Sequence, residues 1–231
     1  MCLPMSVVLV GLAASSLSLY ATVPQVLRAA RTRSAEGVSW NSLVLSLATF
    51  TLWLVYAAAV ADVIQLVNNT LALILLVALA VVVLRAGVAR TYWSAVSAVF
   101  VTGAASIVLL DHTSALTLAM VGTVISSLRM VPQTRLAMSG APLWGLCPWS
   151  TLLAWLGMAT WLLYAVLVGD HALTLCCAIA VLMQSAIVAH RLPPRRTLAS
   201  LAGGRLGAPV AHLMAPVSAR FPQQDGYKLA A

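Results

Sequence analysis

The sequence predicts an all-α integral membrane protein of seven transmembrane helices, arranged as two parallel three-helix bundles joined by a linker helix. Three observations lead there. Hydrophobic residues make up 62% of the 231 residues and charged residues 8%, against roughly a quarter charged in soluble domains, so the solvent for this surface is lipid. Seven apolar stretches are long enough to cross a hydrocarbon core of about 30 Å at about 1.5 Å per residue. The chain also matches itself without gaps at an offset of 108 residues (132 − 24).

The stretches lie near 5–23, 42–60, 63–84, 92–110, 113–131, 149–168 and 172–190. Runs such as Leu71 to Leu84 are apolar throughout, whereas strands of a membrane barrel alternate over about ten positions. The first stretch reads as helix 1 rather than a cleaved signal. Its apolar run is too long, it lacks a basic start, and it ends on Pro24-Gln25 instead of a small-residue site. After the seventh stretch, Pro193-Pro194-Arg195-Arg196 opens a segment rich in Gly, Pro, Ala and Arg, expected to be disordered. The expected units are a first repeat at 1–88, linker helix 4 at 89–112, a second repeat at 113–192 and a basic tail at 193–231.

The formal net charge of +8 is a topology signal and not a nucleic-acid patch. Arg28, Arg31 and Arg33 follow helix 1, Arg85 and Arg90 join helices 3 and 4, and Arg129 and Arg135 flank the end of helix 5. The remaining basic residues follow helix 7, while the opposite loops carry Asp62, Asp111 and Asp170. Lys and Arg stay on the side of synthesis. The N-terminus is therefore expected outside, the C-terminus in the cytoplasm, and the chain in the cell membrane with the bilayer as its partner. Cys2, Cys147, Cys176 and Cys177 show neither a disulfide framework nor metal-ligand spacing.

In the repeat, Val23-Pro24-Gln25 falls on Val131-Pro132-Gln133, Gly37 on Gly145, Trp53 on Trp161, Tyr56 on Tyr164 and Asp62 on Asp170. Matched Pro, Gln, Gly, Trp, Tyr and Asp in one frame mark a true internal repeat. Four helices separate each position from its counterpart, so the units point the same way. Parallel repeats about an axis along the membrane normal are a transporter architecture, with substrate near the midplane.

Pro-Gln at the end of a helix, a Gly thirteen residues later, Leu-Trp-x-x-Tyr and an Asp nine residues past the Trp resemble the PQ-loop signature. The unit looks like one repeat of the SWEET and SemiSWEET sugar transporters, and the resemblance covers about 5 to 190. It implies that a Trp of helix 2 and an Asn sixteen positions later contact a sugar. Repeat 1 has this pair as Trp53 and Asn69. Repeat 2 keeps Trp161 but has Cys177 in place of the amide. The proline that plant-type members carry five residues after the Gly is replaced by Ser42 and Ser150.

The candidate substrate-binding residues are thus Trp53, Asn69, Trp161 and Cys177. An amide in hydrocarbon needs a partner, and Asn69 offers both donor and acceptor to a hydroxyl; the alternative is a bond between helices, shared with Asn68. Trp53 and Trp161 fall mid-helix, away from the interfacial belt, whereas Trp40, Tyr92, Trp93, Trp144 and Trp149 cluster at helix ends as anchors. Pro24 and Pro132 are expected to end or kink their helices, with Gln25 and Gln133 beside them at an inner gate. Arg129 either snorkels to the cytoplasm or lines the inner vestibule.

No acid falls mid-span, so proton coupling lacks its usual group. The expected function is facilitated diffusion of a mono- or disaccharide by alternating access, with no cofactor, metal or catalytic residue and the possibility of a homo-oligomer. Two alternatives remain open: a proton-linked exporter of amino acids or other small solutes using Asp62 or Asp170, and a non-transporting seven-helix receptor.

Overall fold

The computed structural model describes residues 4–32, 40–85, 92–139 and 148–190. Gly37, Trp144, Gly145 and the tail at 193–231 lie outside the described residues. The described chain is all helix: α1 Met5–Thr32, α2 Trp40–Ala59, α3 Val63–Arg85, α4 Trp93–His112, α5 Ala115–Met138, α6 Pro148–Val168 and α7 His171–His190. Each contains a span long and apolar enough to cross a membrane. The protein is a multi-pass membrane protein of seven helices, as composition and hydropathy predict. Helices meet the demand that every backbone polar group in lipid be satisfied internally. Phe100, Val101, Leu182 and Leu163 remain exposed on the bundle perimeter, where acyl chains replace water.

Two helices run past their expected ends. Proline terminates neither α1 nor α5: α1 continues to Thr32 and α5 through Pro132 to Met138. The apolar spans themselves stop at Val23 and Arg135, so hydropathy marks the membrane crossing and not the helix. A proline removes one donor and crowds one preceding carbonyl, a defect that helices in bundles tolerate.

In the first unit α3 lies between α1 and α2, and in the second α7 lies between α5 and α6. The units meet along two pseudo-equivalent seams, α1 on α6 and α2 on α5, while α4 leans on α2 and touches α5. Trp40 ties α2 to α4 through an indole N–H donated to Ser94 Oγ at 2.8 Å. The turns before α3 and α7 are also related by the repeat. Ala61 and Gly169 both have positive φ, 55° and 72°, and each lets the following Asp N–H reach back to the helix it leaves, to Ala57 and Ala165.

The α1–α6 seam is the closer of the two. A Cβ at Gly157 would stand 2.8 Å from Ser18 Oγ, 3.2 Å from its backbone N and 3.4 Å from its Cα. The equivalent position on α2 is Thr49. Small residues let helix backbones approach in membranes, and only one of the two repeats has one here. Adding a methyl at Gly157 therefore forces α1 and α6 apart. Gly157→Ala is expected to cost about 1–3 kcal/mol, seen as a lower thermal midpoint of the purified protein. Gly103→Ala, whose Cβ meets nothing closer than 3.6 Å, should leave the midpoint unchanged; equal shifts would show that the seam is not set by Gly157.

Candidate functional site

The largest buried cluster joins the two repeats. It gathers Val7 and Ala14 of α1, Leu52, Trp53 and Tyr56 of α2, Leu118 and Ala119 of α5, Trp161, Tyr164 and Ala165 of α6, and Cys176 and Cys177 of α7. All come from the half of the bundle that holds Asp62 and Asp170. Toward the Pro-Gln end the clusters stay within one unit and its linker: Leu43, Leu47, Leu76 and Val83 with Ala95 of α4, and separately Ala137 with Ile187. The described chain is sealed between repeats at the aspartate end, and no buried apolar cluster of described residues bridges the other.

Polar bonds across the repeats repeat the same pattern twice. Trp53 donates its indole N–H to Ser126 Oγ at 2.9 Å, and Trp161 donates to Ser18 Oγ at 3.1 Å. Ser18 and Ser126 are themselves 108 positions apart. Each Trp also meets the Tyr one turn on, edge to face, with centroids 5.3 and 5.4 Å apart. Beyond them Tyr56 donates to Asp170 Oδ2 at 2.8 Å, and Tyr164 donates to both oxygens of Asp62 at 3.0 Å. Each carboxylate simultaneously caps the next helix, Asp62 accepting from the Gln65 N–H and amide, and Asp170 from the Leu173 N–H. The aspartates are thus not idle loop residues. They are half-buried acceptors, oriented by their caps, that tie one repeat to the other.

The structure brings Trp53, Trp161 and Cys177 into this one cluster. Both indole N–H groups are taken by serines, and both rings are buried within the cluster. Asn69 is buried on the α3 face that also carries Gln65, Asn68 and Ala72, and among the described residues its amide has no hydrogen-bond partner. Asn68 Oδ1 is likewise buried without one. Pro132 and Gln133 are exposed near the end of α5, apart from the cluster. Pro24 and Gln25 lie in α1, but their side chains fall outside the described residues.

Arg129 takes neither a lipid-facing nor a free cytoplasmic course. Its Nη1 donates to Ser46 Oγ of α2 at 3.2 Å, its guanidinium carbon stands 5.8 Å from the Phe50 ring centroid, and its Nε is buried without a partner. Sequence reasoning did not assign Ser18, Ser126 or the Tyr–Asp pairing. The signal was available, since both serines match in the repeat frame, but a hydroxyl in a helix commonly bonds its own backbone instead. Ser46 and Thr123 do so here.

Among known proteins, a family model described as the PQ loop repeat matches residues 7–66. That segment spans α1, α2 and the start of α3, and carries Pro24, Gln25, Trp53, Tyr56 and Asp62. No curated protein shows significant similarity to the chain.

If the Tyr–Asp pairs hold the aspartate end shut, removing their hydroxyls should open it. In a Cys2→Ser/Cys147→Ser background, Tyr56→Phe and Tyr164→Phe are expected to speed maleimide labelling of the buried Cys176–Cys177 pair. The gain is about tenfold per bond, taking ~1.5 kcal/mol for a hydrogen bond to a carboxylate. Labelling rates equal to those of the parent would remove the latch role.

Proposed function

We propose that this seven-helix protein, with a PQ-loop repeat in its first unit, is a uniporter that moves a mono- or disaccharide by alternating access in the cell membrane. Transport of some small solute is the coarser reading that the family match and the seven spans support. The observation that carries the finer one is the pair of cross-repeat indoles, Trp53 and Trp161, with their N–H groups already engaged, beside a buried Asn68-Asn69 pair on α3 of which Asn68 Oδ1 has no partner. Sugar rings offer C–H faces to aromatic surfaces and hydroxyls to amides. Cys177 replaces the second amide, so repeat 1 supplies more of the polar recognition.

The positive-inside distribution of Arg places the aspartate end outside. The seal between repeats at that end supports reading the described conformation as one closed toward the outside. Opening outward breaks the two Tyr–Asp and two Trp–Ser bonds together, while Pro132 and its repeat partner Pro24 provide the places where α5 and α1 can bend. Facilitated diffusion is favoured over proton coupling because the three described acids all stand at the aspartate end, away from the middle of the path.

Uptake of labelled glucose and sucrose into proteoliposomes, without a proton gradient, tests the proposal. Saturable uptake is expected, falling at least tenfold in Asn69→Ala, as for a lost hydrogen bond that leaves a substrate hydroxyl unpaired. Undiminished uptake by Asn69→Ala would exclude that residue, and a strict requirement for a pH gradient would favour a proton-linked exporter.

A further inference from the structure

Arg129 is the one feature of the inter-repeat seam that the exchange of a neutral sugar leaves without a task. It sits on the α5 face that carries Gly122 and Ser126, at positions i, i+4 and i+7. Ser126 on that face holds Trp53, and a Cβ at Gly122 would press on Leu52 and Trp53. Arg129 therefore stands about 4.5 Å further along the helix axis than the serine that fixes the indole. From there it reaches α2 at Ser46 and Phe50 and lies within electrostatic range of Cys176 on α7.

The ledger of this guanidinium is incomplete. Of its five N–H groups, one finds a protein acceptor, and Nε is buried with none. No carboxylate among the described residues forms an ion pair with it: Asp62 and Asp170 are engaged at the aspartate end by Tyr164 and Tyr56, and Asp111 is exposed near the end of α4. An arginine left this way inside a bundle points to an anion that is bound for part of the cycle. The repeat sharpens the point. Its counterpart is Ala21, whereas Asn68-Asn69 are replaced by Cys176-Cys177. The repeat that lacks the amides carries a guanidinium beside the positions that lost them.

We infer that the solute bears an oxyanion, a carboxylate or phosphate, that pairs with Arg129 while its ring and hydroxyls engage the indole pair and Asn69. Among sugars the site then prefers an acidic one over its neutral counterpart. This rests on the transport reading above and names the substrate of that same site. The fork of the guanidinium matches a two-oxygen acceptor, with Nε and an Nη supplying the two bonds.

The test compares two ligands that differ at one carbon. The full chain in phosphatidylcholine nanodiscs is titrated with D-glucuronate and with D-glucose, read through tryptophan fluorescence. Glucuronate is expected to bind at least tenfold more tightly than glucose. That preference should be lost in Arg129→Ala and partly kept in Arg129→Lys, which retains the charge without the fork. Equal affinities in the parent protein, no saturable glucuronate binding, or an Arg129→Ala protein that keeps the preference would each overturn the inference. Discs containing one third phosphatidylglycerol separate the two sources of an oxyanion. Unchanged glucuronate affinity assigns Arg129 to the solute; a competitive loss that disappears in Arg129→Ala gives it to a lipid headgroup and overturns the solute assignment. The two readings fail separately. Glucose flux that needs Asn69 but ignores Arg129 leaves the transporter standing without this substrate class, and Arg129-dependent glucuronate binding by a chain that moves no sugar does the reverse.

Discussion

The fold depends on polar side chains that find their partners only across the pseudo-twofold axis. In lipid the helices gain nothing from hiding apolar surface against each other, since acyl chains are as apolar as leucine. What distinguishes the correct seam from any other is close packing and the satisfaction of groups that hydrocarbon cannot satisfy. Trp53 with Ser126, Trp161 with Ser18, Tyr56 with Asp170 and Tyr164 with Asp62 do this. Each residue lies on one repeat and its acceptor on the other, so neither unit alone completes the set. Duplication makes the arrangement economical: one donor–acceptor pattern, copied at 108 residues, is self-complementary once the copies face each other.

The two copies have nevertheless diverged where their surroundings differ. Gly157 brings α6 onto the backbone of Ser18, while Thr49 at the matching place keeps α2 at ordinary distance from α5. The wider seam is the one that houses Arg129, Ser46 and Phe50. A charge at this level costs about 2.5–3.5 kcal/mol on insertion scales. A cation–π contact returns about 0.5–2 kcal/mol, and one bond to a neutral hydroxyl about 1 kcal/mol. These two contacts leave Nε buried without an acceptor among the described residues. The α1–α6 seam has no such cation among the described residues and packs closely at Gly157.

Much of this was legible in the sequence, for identifiable reasons. Seven spans follow from apolar length alone, because lipid makes helix the only way to satisfy the backbone of Leu71 to Leu84. The repeat followed from residues too uncommon to coincide, and it singled out Trp53, Trp161, Tyr56 and Asp62 before any contact was known. Helix ends were less legible. Pro24 and Pro132 mark an end or a kink because proline disfavours helix, and α1 and α5 continue beyond them, past the apolar spans that stop at Val23 and Arg135. The partners of the motif residues were not legible at all. Tyr56 and Asp170 are 114 positions apart, and nothing local says that the Asp of one repeat belongs to the Tyr of the other. Gly157 is silent in the same way: it reads as one more small residue until Ser18 is placed against it.

Closure at one end sets a condition on the other. At about 1 kcal/mol net for each bond, the four cross-repeat bonds weigh about 4 kcal/mol, close to a thousandfold in population, before the apolar cluster around Trp53 and Trp161 is counted. A carrier so biased would open toward the aspartate side too seldom to be useful unless closure at the Pro-Gln end returned a comparable amount. The described residues there offer no second set of acids, since Asp62, Asp111 and Asp170 all stand at the opposite end. On the proposed transport reading, a solute bound in between is one source of that compensation. On that reading, a ligand held by the ring faces, by Asn69 and by Arg129 would touch both repeats, and its contacts would count toward whichever arrangement brings the repeats together around it. Only a ligand that binds the two states unequally can move the balance, and on the proposed reading Arg129 at the α2–α5 seam would supply that inequality.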